Sequence, residues 1–194
     1  MKDCMTLNLI QLIFQYLKPK TVIDLGTWTG ASAMYYADQL DLVGVKDYQV
    51  ISVDVSHDCL HPKAKEDARI TFVKDTLANY KTIFPPELLD KMEHPVFISE
   101  DAHFNTVELL SYLNGYLKKD DFIMIEDTHP ETNYKIYYEP DDTVEVIEGK
   151  ENDKEPLVYE FLEKNKEWRV DNYFAAYFGQ YSTTNGLGYL ARVE

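Results

Sequence analysis

Carboxylates recur in this sequence where a short apolar run has just ended. Asp24 closes Thr21-Val22-Ile23, Asp54 closes Val50-Ile51-Ser52-Val53, and Asp75 follows Ile70-Thr71-Phe72-Val73-Lys74. Glu100 and Asp101 follow Val96-Phe97-Ile98-Ser99, and Glu126 and Asp127 follow Phe122-Ile123-Met124-Ile125. Acids placed this way can accept hydrogen bonds from ligand hydroxyls, attract a cationic ligand, or hold a hard divalent ion. Two segments add a histidine: Ser99-Glu100-Asp101-Ala102-His103-Phe104-Asn105-Thr106 and Ile125-Glu126-Asp127-Thr128-His129-Pro130. An imidazole titrates near neutrality and can take a proton from a reacting hydroxyl, so His103 and His129 are both candidate bases. Oxygen-only ligands select Mg2+, Ca2+ or Mn2+ over Zn2+. The same acids could instead charge or cap the first turns of the helices that follow.

Positioning these acids requires a frame, and the hydrophobic pattern supplies one. Leu9, Leu12, Ile13, Tyr16 and Leu17 have helical spacing, and Pro19 ends that opening helix. Short continuous apolar strands at 21–25, 50–53, 70–73, 96–98 and 122–125 alternate with helical stretches at 31–40 and around Val107, Leu110, Leu113 and Leu117. Asn105 and Glu108 read as a capping box for the latter. Such strands belong to a parallel sheet covered on both faces, with right-handed crossovers. Pro156–Lys164 reads as a helix. Trp168–Val170 and Phe174–Val193 read as strands joined by a Gly-containing connection, forming an antiparallel end to the sheet. The expected fold is one α/β, Rossmann-like domain over residues 1–194. It has a mostly parallel seven-stranded sheet, helices on both faces and an antiparallel C-terminal strand. The polar, acidic stretch 129–155 reads either as a lid or as a surface insertion. All the acids then share the carboxyl edge of the sheet, where open α/β sheets bind ligands.

The first strand-to-helix turn reads Asp24-Leu25-Gly26-Thr27-Trp28-Thr29-Gly30-Ala31-Ser32. Its glycines permit a sharp turn and a close backbone approach to a ligand. Trp28 stands where a dinucleotide fingerprint has its second glycine, which argues against a pyrophosphate and a dehydrogenase. The D-x-G-x-x-x-G-x-S pattern instead resembles motif I of class I S-adenosylmethionine (SAM)-dependent methyltransferases. That resemblance implies cofactor binding by Asp24, Gly26, Thr27, Trp28, Gly30 and Ser32, with Asp54 on both ribose hydroxyls and Asp75 near the adenine.

A more specific resemblance runs from about Asn8 to His129. Lys18-Pro19-Lys20-Thr21-Val22-Ile23-Asp24-Leu25-Gly26, Gly30-Ala31-Ser32, Ala102-His103-Phe104-Asn105-Thr106 and Ile125-Glu126-Asp127 are similar to the cephalosporin hydroxylase family. That family includes metal-dependent sugar O-methyltransferases, macrolide and rhamnosyl. Leu187-Gly188-Tyr189-Leu190-Ala191-Arg192 is similar in type. The resemblance implies Glu100, Glu126 and Asp127 as ligands of Mg2+ and His103 as the catalytic base. Glu100 stands where the family has Asp, with Asp101 beside it as the alternative ligand. The implied reaction is methyl transfer to a hydroxyl of a sugar or natural-product-like acceptor, the ion lowering the pKa of that hydroxyl. Tyr134, Tyr137 and Tyr138 could line the acceptor pocket or pack on the surface. The stretch before Asp24 is shorter than in many relatives, which implies an acceptor pocket that is more open or completed by a neighbouring subunit in a homo-oligomer.

Two other readings are carried. A hydroxylase of the kind the family name records would be expected to show two His and one carboxylate around iron, whereas the candidate ligands here are all carboxylates. A cofactor-binding protein without catalysis would be expected to have lost Glu126 and Asp127. The formal net charge of −15 argues against partners that present phosphates, nucleic acid or anionic membrane alike. Two cysteines, no apolar run of membrane-spanning length and a polar start without a signal-peptide core lead to a cytoplasmic expectation.

Overall fold

The computed structural model describes residues 2–102, 104–129 and 154–194, together with the backbone of 134–138 and 144–148. Seven strands form one sheet: β1 (Thr21–Leu25), β2 (Gln49–Asp54), β3 (Ile70–Lys74), β4 (Val96–Glu100), β5 (Phe122–Ile125), β8 (Trp168–Val170) and β9 (Tyr189–Arg192). Their order is β3-β2-β1-β4-β5-β9-β8. The first five pair in parallel, and β9 runs antiparallel to both its neighbours. Strands β6 (Tyr134–Tyr138) and β7 (Val144–Glu148) form a separate antiparallel pair inside the 129–155 stretch. The rest of that stretch, from 130 to 133, 139 to 143 and 149 to 153, lies outside the described residues, as do the side chains of Tyr134, Tyr137 and Tyr138.

Eight α-helices and one 3-10 turn (Leu77–Asn79) accompany the strands among the described residues: α1 (Cys4–Leu17), α2 (Ala31–Leu42), α3 (Pro62–Lys65), α4 (Tyr80–Ile83), α5 (Pro86–Leu89), α6 (Thr106–Asn114), α7 (Glu155–Lys164) and α8 (Asn172–Ala175). Two apolar cores cover the two sheet faces because strand side chains alternate. Val22, Val50, Phe97 and Met124 pack with Phe14 of α1 and Tyr36 of α2. Ile23, Leu25, Ile98 and Ile125 pack with Leu110 of α6 and Phe161 of α7. This two-sided burial is why the strand sequences are continuously apolar.

The ends of the elements have local causes. The Asp3 carboxylate accepts the N–H groups of Met5 and Thr6, both at 2.8 Å, and so starts α1. That helix stops before Pro19, with Lys18 in the left-handed region at φ 49°. Two expectations are corrected. Asn105 precedes α6 with φ 44° and makes no side-chain cap; Glu108 instead accepts the Tyr80 hydroxyl at 2.8 Å, so the capping box does not form. The strand expected from Phe174 begins only at Tyr189. Asp171 caps the N–H groups of Tyr173 and Phe174 at 3.0 and 3.2 Å, which turns the chain into α8.

Candidate active site at the carboxyl edge

The five parallel strands deliver their acids to one edge. The register pairs Asp24 of β1 with Ser52 of β2 and Ser99 of β4, and Ser99 with Met124 of β5. These positions share the face covered by α1 and α2. Buried there, Asp24 Oδ2 accepts the hydroxyls of Ser52 at 2.7 Å and Ser32 at 3.0 Å, while its Oδ1 has no partner among the described residues. Burial pushes the Asp24 carboxyl up to about 6, against the opposing pull of the Lys2 ammonium and the two serine hydroxyls.

The β1–α2 turn lies directly over the end of β4. Gly26 has φ 106°, and a Cβ there would come within 3.1 Å of the Asp101 backbone. A side chain would therefore push the turn off the strand end. Gly30 precedes α2 with φ 80° and leaves the helix N-terminus without a side-chain cap. Thr27 is turned inward, its hydroxyl 2.6 Å from that of Ser52. Trp28 is 55% exposed, and its backbone N–H donates to Asp54 Oδ2 at 2.7 Å. Asp54 Oδ1 accepts Ser56 N–H at 3.1 Å. Asp54 thus ties the first turn to the second. Asp75 sits one strand further out, accepting its neighbour Thr76 N–H at 2.7 Å and Asn79 at 2.9 Å.

Two cavities meet at Gly26 and Asp101. One, of about 390 Å³, is lined by Asp54, Thr76, Leu77, Ala102 and Phe104. The other, of about 340 Å³, is lined by Lys2, Leu7, Trp28, Ser32 and Tyr35. The first offers a carboxylate beside apolar walls, and the second an ammonium and hydroxyls beside an aromatic ring. An elongated ligand with a hydroxylated sugar, a flat base and a charged tail matches that division, and Gly26 leaves room for it to cross between them.

The proposed metal residues are not gathered in one place. Glu100 and Ile125 are register partners, and Glu126 is one residue beyond, so the two glutamates leave the sheet on opposite faces. Glu126, 4% exposed, accepts Ser99 Oγ at 3.0 Å and is also bonded by the Lys2 ammonium. Glu100 is fully buried on the α6–α7 face; its Oε2 takes the Lys154 ammonium at 3.1 Å and its Oε1 has no partner among the described residues. Burial pushes Glu100 up to about 7 despite Lys154, and burial also raises Glu126 despite Lys2. Asp127 has φ 57°, and its carbonyl accepts Lys154 N–H at 3.3 Å. Among the described residues no three His, Cys, Asp or Glu side chains form a cluster able to hold a metal ion. Glu100, Glu126 and Asp127 in this arrangement do not fit a shared ion. Asp101 lines both cavities.

His103 lies outside the described residues. His129 is held by its surroundings: its N–H bonds Thr184 O at 3.0 Å, Nε2 lies 2.9 Å from Tyr181 O, and the two rings meet edge to face. Lys2, Lys154, Ser52, Ser99 and Tyr36 were not singled out from the sequence. Polar residues at in-facing positions of apolar strands were a usable signal for Ser52 and Ser99. Lys2 and Lys154 carried none, since each stands in a polar stretch far from its partner.

Residues 1–193 match the family model described as Rhamnosyl O-methyltransferase/CmcI. The rhamnosyl O-methyltransferase of Mycobacterium tuberculosis (strain ATCC 25618 / H37Rv) is 27% identical over 124 residues, covering 61% of this chain and 50% of that protein. That of Mycobacterium leprae (strain TN) is 28% identical over 124 residues, covering 61% and 53%. The chain spans about half the length of these curated relatives. A solved structure of CmcI described as a Mg-SAM form superposes with a TM-score of 0.75 at 25% identity, covering all of this chain and 73% of that one. With a matched span that takes in the β1 turn, the β4 and β5 acids and the closing β9 strand, the chain belongs to the rhamnosyl O-methyltransferase/CmcI family.

Proposed function

We propose that this chain is a SAM-dependent O-methyltransferase acting on a hydroxyl of a small molecule, with Mg2+ as a companion ion. The observation that carries the reading is the pair of cavities joined over Gly26, with Asp54 at one end and Lys2 at the other. The Mg-SAM form of CmcI supports the choice of both cofactors, and the mycobacterial relatives support a sugar-like acceptor. SAM supplies a methyl group on a sulfonium. On this reading Asp54 accepts the ribose hydroxyls, Leu77, Ala102 and Phe104 surround the base, Asp75 stands near it, and Asp24, Thr27, Trp28, Gly30 and Ser32 shape the turn. The acidic edge favours the cationic donor over its neutral product. His103 takes the acceptor's proton as its oxygen forms the new C–O bond and the methyl–sulfur bond breaks, leaving S-adenosylhomocysteine. Most of the rate effect comes from holding the reactants in line, worth about 7–11 kcal/mol in well-oriented systems. The 129–155 stretch is proposed as the lid that covers the acceptor, and Tyr134, Tyr137 and Tyr138 as part of its lining. The whole is proposed to act as one domain, in the cytoplasm.

Calorimetric titration of S-adenosylhomocysteine into the wild-type chain and Asp54→Ala tests this reading. Micromolar binding in the wild type, weakened about 100-fold or more in the variant, equivalent to roughly 2.7 kcal/mol, is the expected result. No binding in the wild type overturns it.

A further inference from the structure

A further cavity, of about 390 Å³, lies between the start of α1 and residues 181–184, lined by Asp3, Cys4, Met5, His129, Tyr181 and Ser182 among others. Asp3 directly follows Lys2, which lines the 340 Å³ cavity, so neighbouring residues wall the two spaces. The 181–184 wall is fastened to the end of β5. His129 N–H donates to Thr184 O at 3.0 Å, His129 Nε2 lies 2.9 Å from Tyr181 O, and the Thr128 hydroxyl donates to Asn185 O. Tyr181 has φ 58°, a conformation that bulky residues rarely adopt and that persists only when the surroundings impose it. His129 imposes it here, bonding the Tyr181 carbonyl and meeting the ring edge to face at 5.4 Å. The outcome is an aromatic ring fixed in the wall of a cavity. A carbonyl only accepts, so His129 Nε2 carries its hydrogen and cannot take a proton. The Asp3 carboxylate is occupied too, by the N–H groups of Met5 and Thr6 and the hydroxyls of Thr6 at 2.6 Å and Thr184 at 3.3 Å.

We propose that this cavity is the acceptor subsite, that it takes a neutral ring carrying hydroxyls, and that Tyr181 is the platform on which the apolar face of that ring lies. The proposal rests on the methyl-transfer reading and says where its acceptor docks. A hydroxylated ring has a C–H face that packs on an aromatic and a rim that bonds hydroxyls such as those of Tyr181 and Ser182. The charge of Asp3 in the wall and the formal net charge of −15 disfavour an anionic occupant. His129 is then a positioning residue that holds Tyr181, not the base.

The test is saturation-transfer NMR with a panel of neutral methyl hexopyranosides and deoxyhexopyranosides, with and without S-adenosylhomocysteine. It compares the wild type with Tyr181→Ala, Tyr181→Phe, His129→Ala, His129→Gln and Cys4→Trp. The wild type should bind at least one glycoside. Tyr181→Ala and His129→Ala should weaken it about tenfold, while Tyr181→Phe, which keeps the ring, and His129→Gln, which keeps a donor for the Tyr181 carbonyl, should stay within about threefold. Cys4→Trp, at an exposed lining position that takes no part in holding Tyr181, should fill the cavity and abolish binding. S-adenosylhomocysteine affinity should be the same in all of them. No glycoside bound by the wild type, or binding that Tyr181→Ala and Cys4→Trp leave unchanged, overturns the subsite. Failure of S-adenosylhomocysteine to bind the wild type would sink the cofactor site, while the glycoside comparison would still decide the subsite.

Discussion

The parallel sheet has buried carboxylates at both its amino and its carboxyl edge, and the two edges are treated differently. At the amino edge Asp121 is fully buried and saturated: Val96 N–H at 2.7 Å, Lys118 N–H at 2.6 Å and His94 Nδ1 at 2.9 Å all reach it. It ties the β4 and β5 entrances together and leaves nothing for a ligand. At the carboxyl edge Asp24 and Glu100 are just as buried, yet each keeps one oxygen without a partner among the described residues, and burial pushes both above the usual carboxylate range. A carboxylate with all its acceptors filled is a structural tie. One held buried with spare acceptors is stabilised incompletely, which is how sites built for ligands differ from the scaffold that holds them.

The contrast predicts large effects on stability at one edge and on binding at the other. The largest is for Asp121→Ala. Leaving two backbone N–H groups and His94 without an acceptor should lower unfolding stability by about 3–5 kcal/mol in urea denaturation, with the S-adenosylhomocysteine affinity of the folded fraction unchanged. A loss below about 0.5 kcal/mol would mean that the amino edge is not the tie described here.

The next effect is one of pH. Burial pushes the Glu100 carboxyl up to about 7 from an ordinary value of 4.5, so the folded state keeps its proton to higher pH than the unfolded state does. Its contribution is therefore fully present below about 4.5 and is lost as pH rises through about 7. Within that window the slope is at most about 1.4 kcal/mol per pH unit. Glu100→Gln keeps an acceptor for Lys154 but cannot ionise, so its melting temperature should fall less than that of the wild type between pH 5 and 8. Parallel profiles would show that Glu100 is ionised throughout.

Gly26→Ala should weaken S-adenosylhomocysteine about tenfold, about 1.4 kcal/mol, since the added Cβ meets the Asp101 backbone and displaces the turn between the two cavities. Unaltered binding in calorimetry would remove Gly26 from the cofactor path. The smallest effect is expected at Trp28. Being half exposed, Trp28→Ala should change stability by less than about 0.5 kcal/mol while still weakening the cofactor several-fold. A stability loss larger than the binding loss would make Trp28 a packing residue.

Much of this was legible beforehand. All five parallel strands and the carboxyl-edge placement of the acids followed from short, mostly apolar runs with Asp or Glu at or just after their ends, because a strand covered on both faces must be largely apolar, and the first two long helices followed from helical spacing. The stretch from Phe174 departs from the strand its aromatic residues suggest, since aromatics suit strands and helices alike and the Asp171 cap settles the choice locally. Gly188 immediately precedes β9; a Cβ there would strike the Ile125 carbonyl, and only glycine lets β9 close on β5.

Residue order was enough to say which acids reach the ligand edge, since strand direction and length are local properties of the chain. Whether Glu100 and Glu126 face each other was not readable from that order. It depends on the register of β4 against β5, where a shift of one residue sends a side chain to the other face. The lysines that answer them come from positions 2 and 154, and such long-range pairings exist only once both apolar faces have been buried.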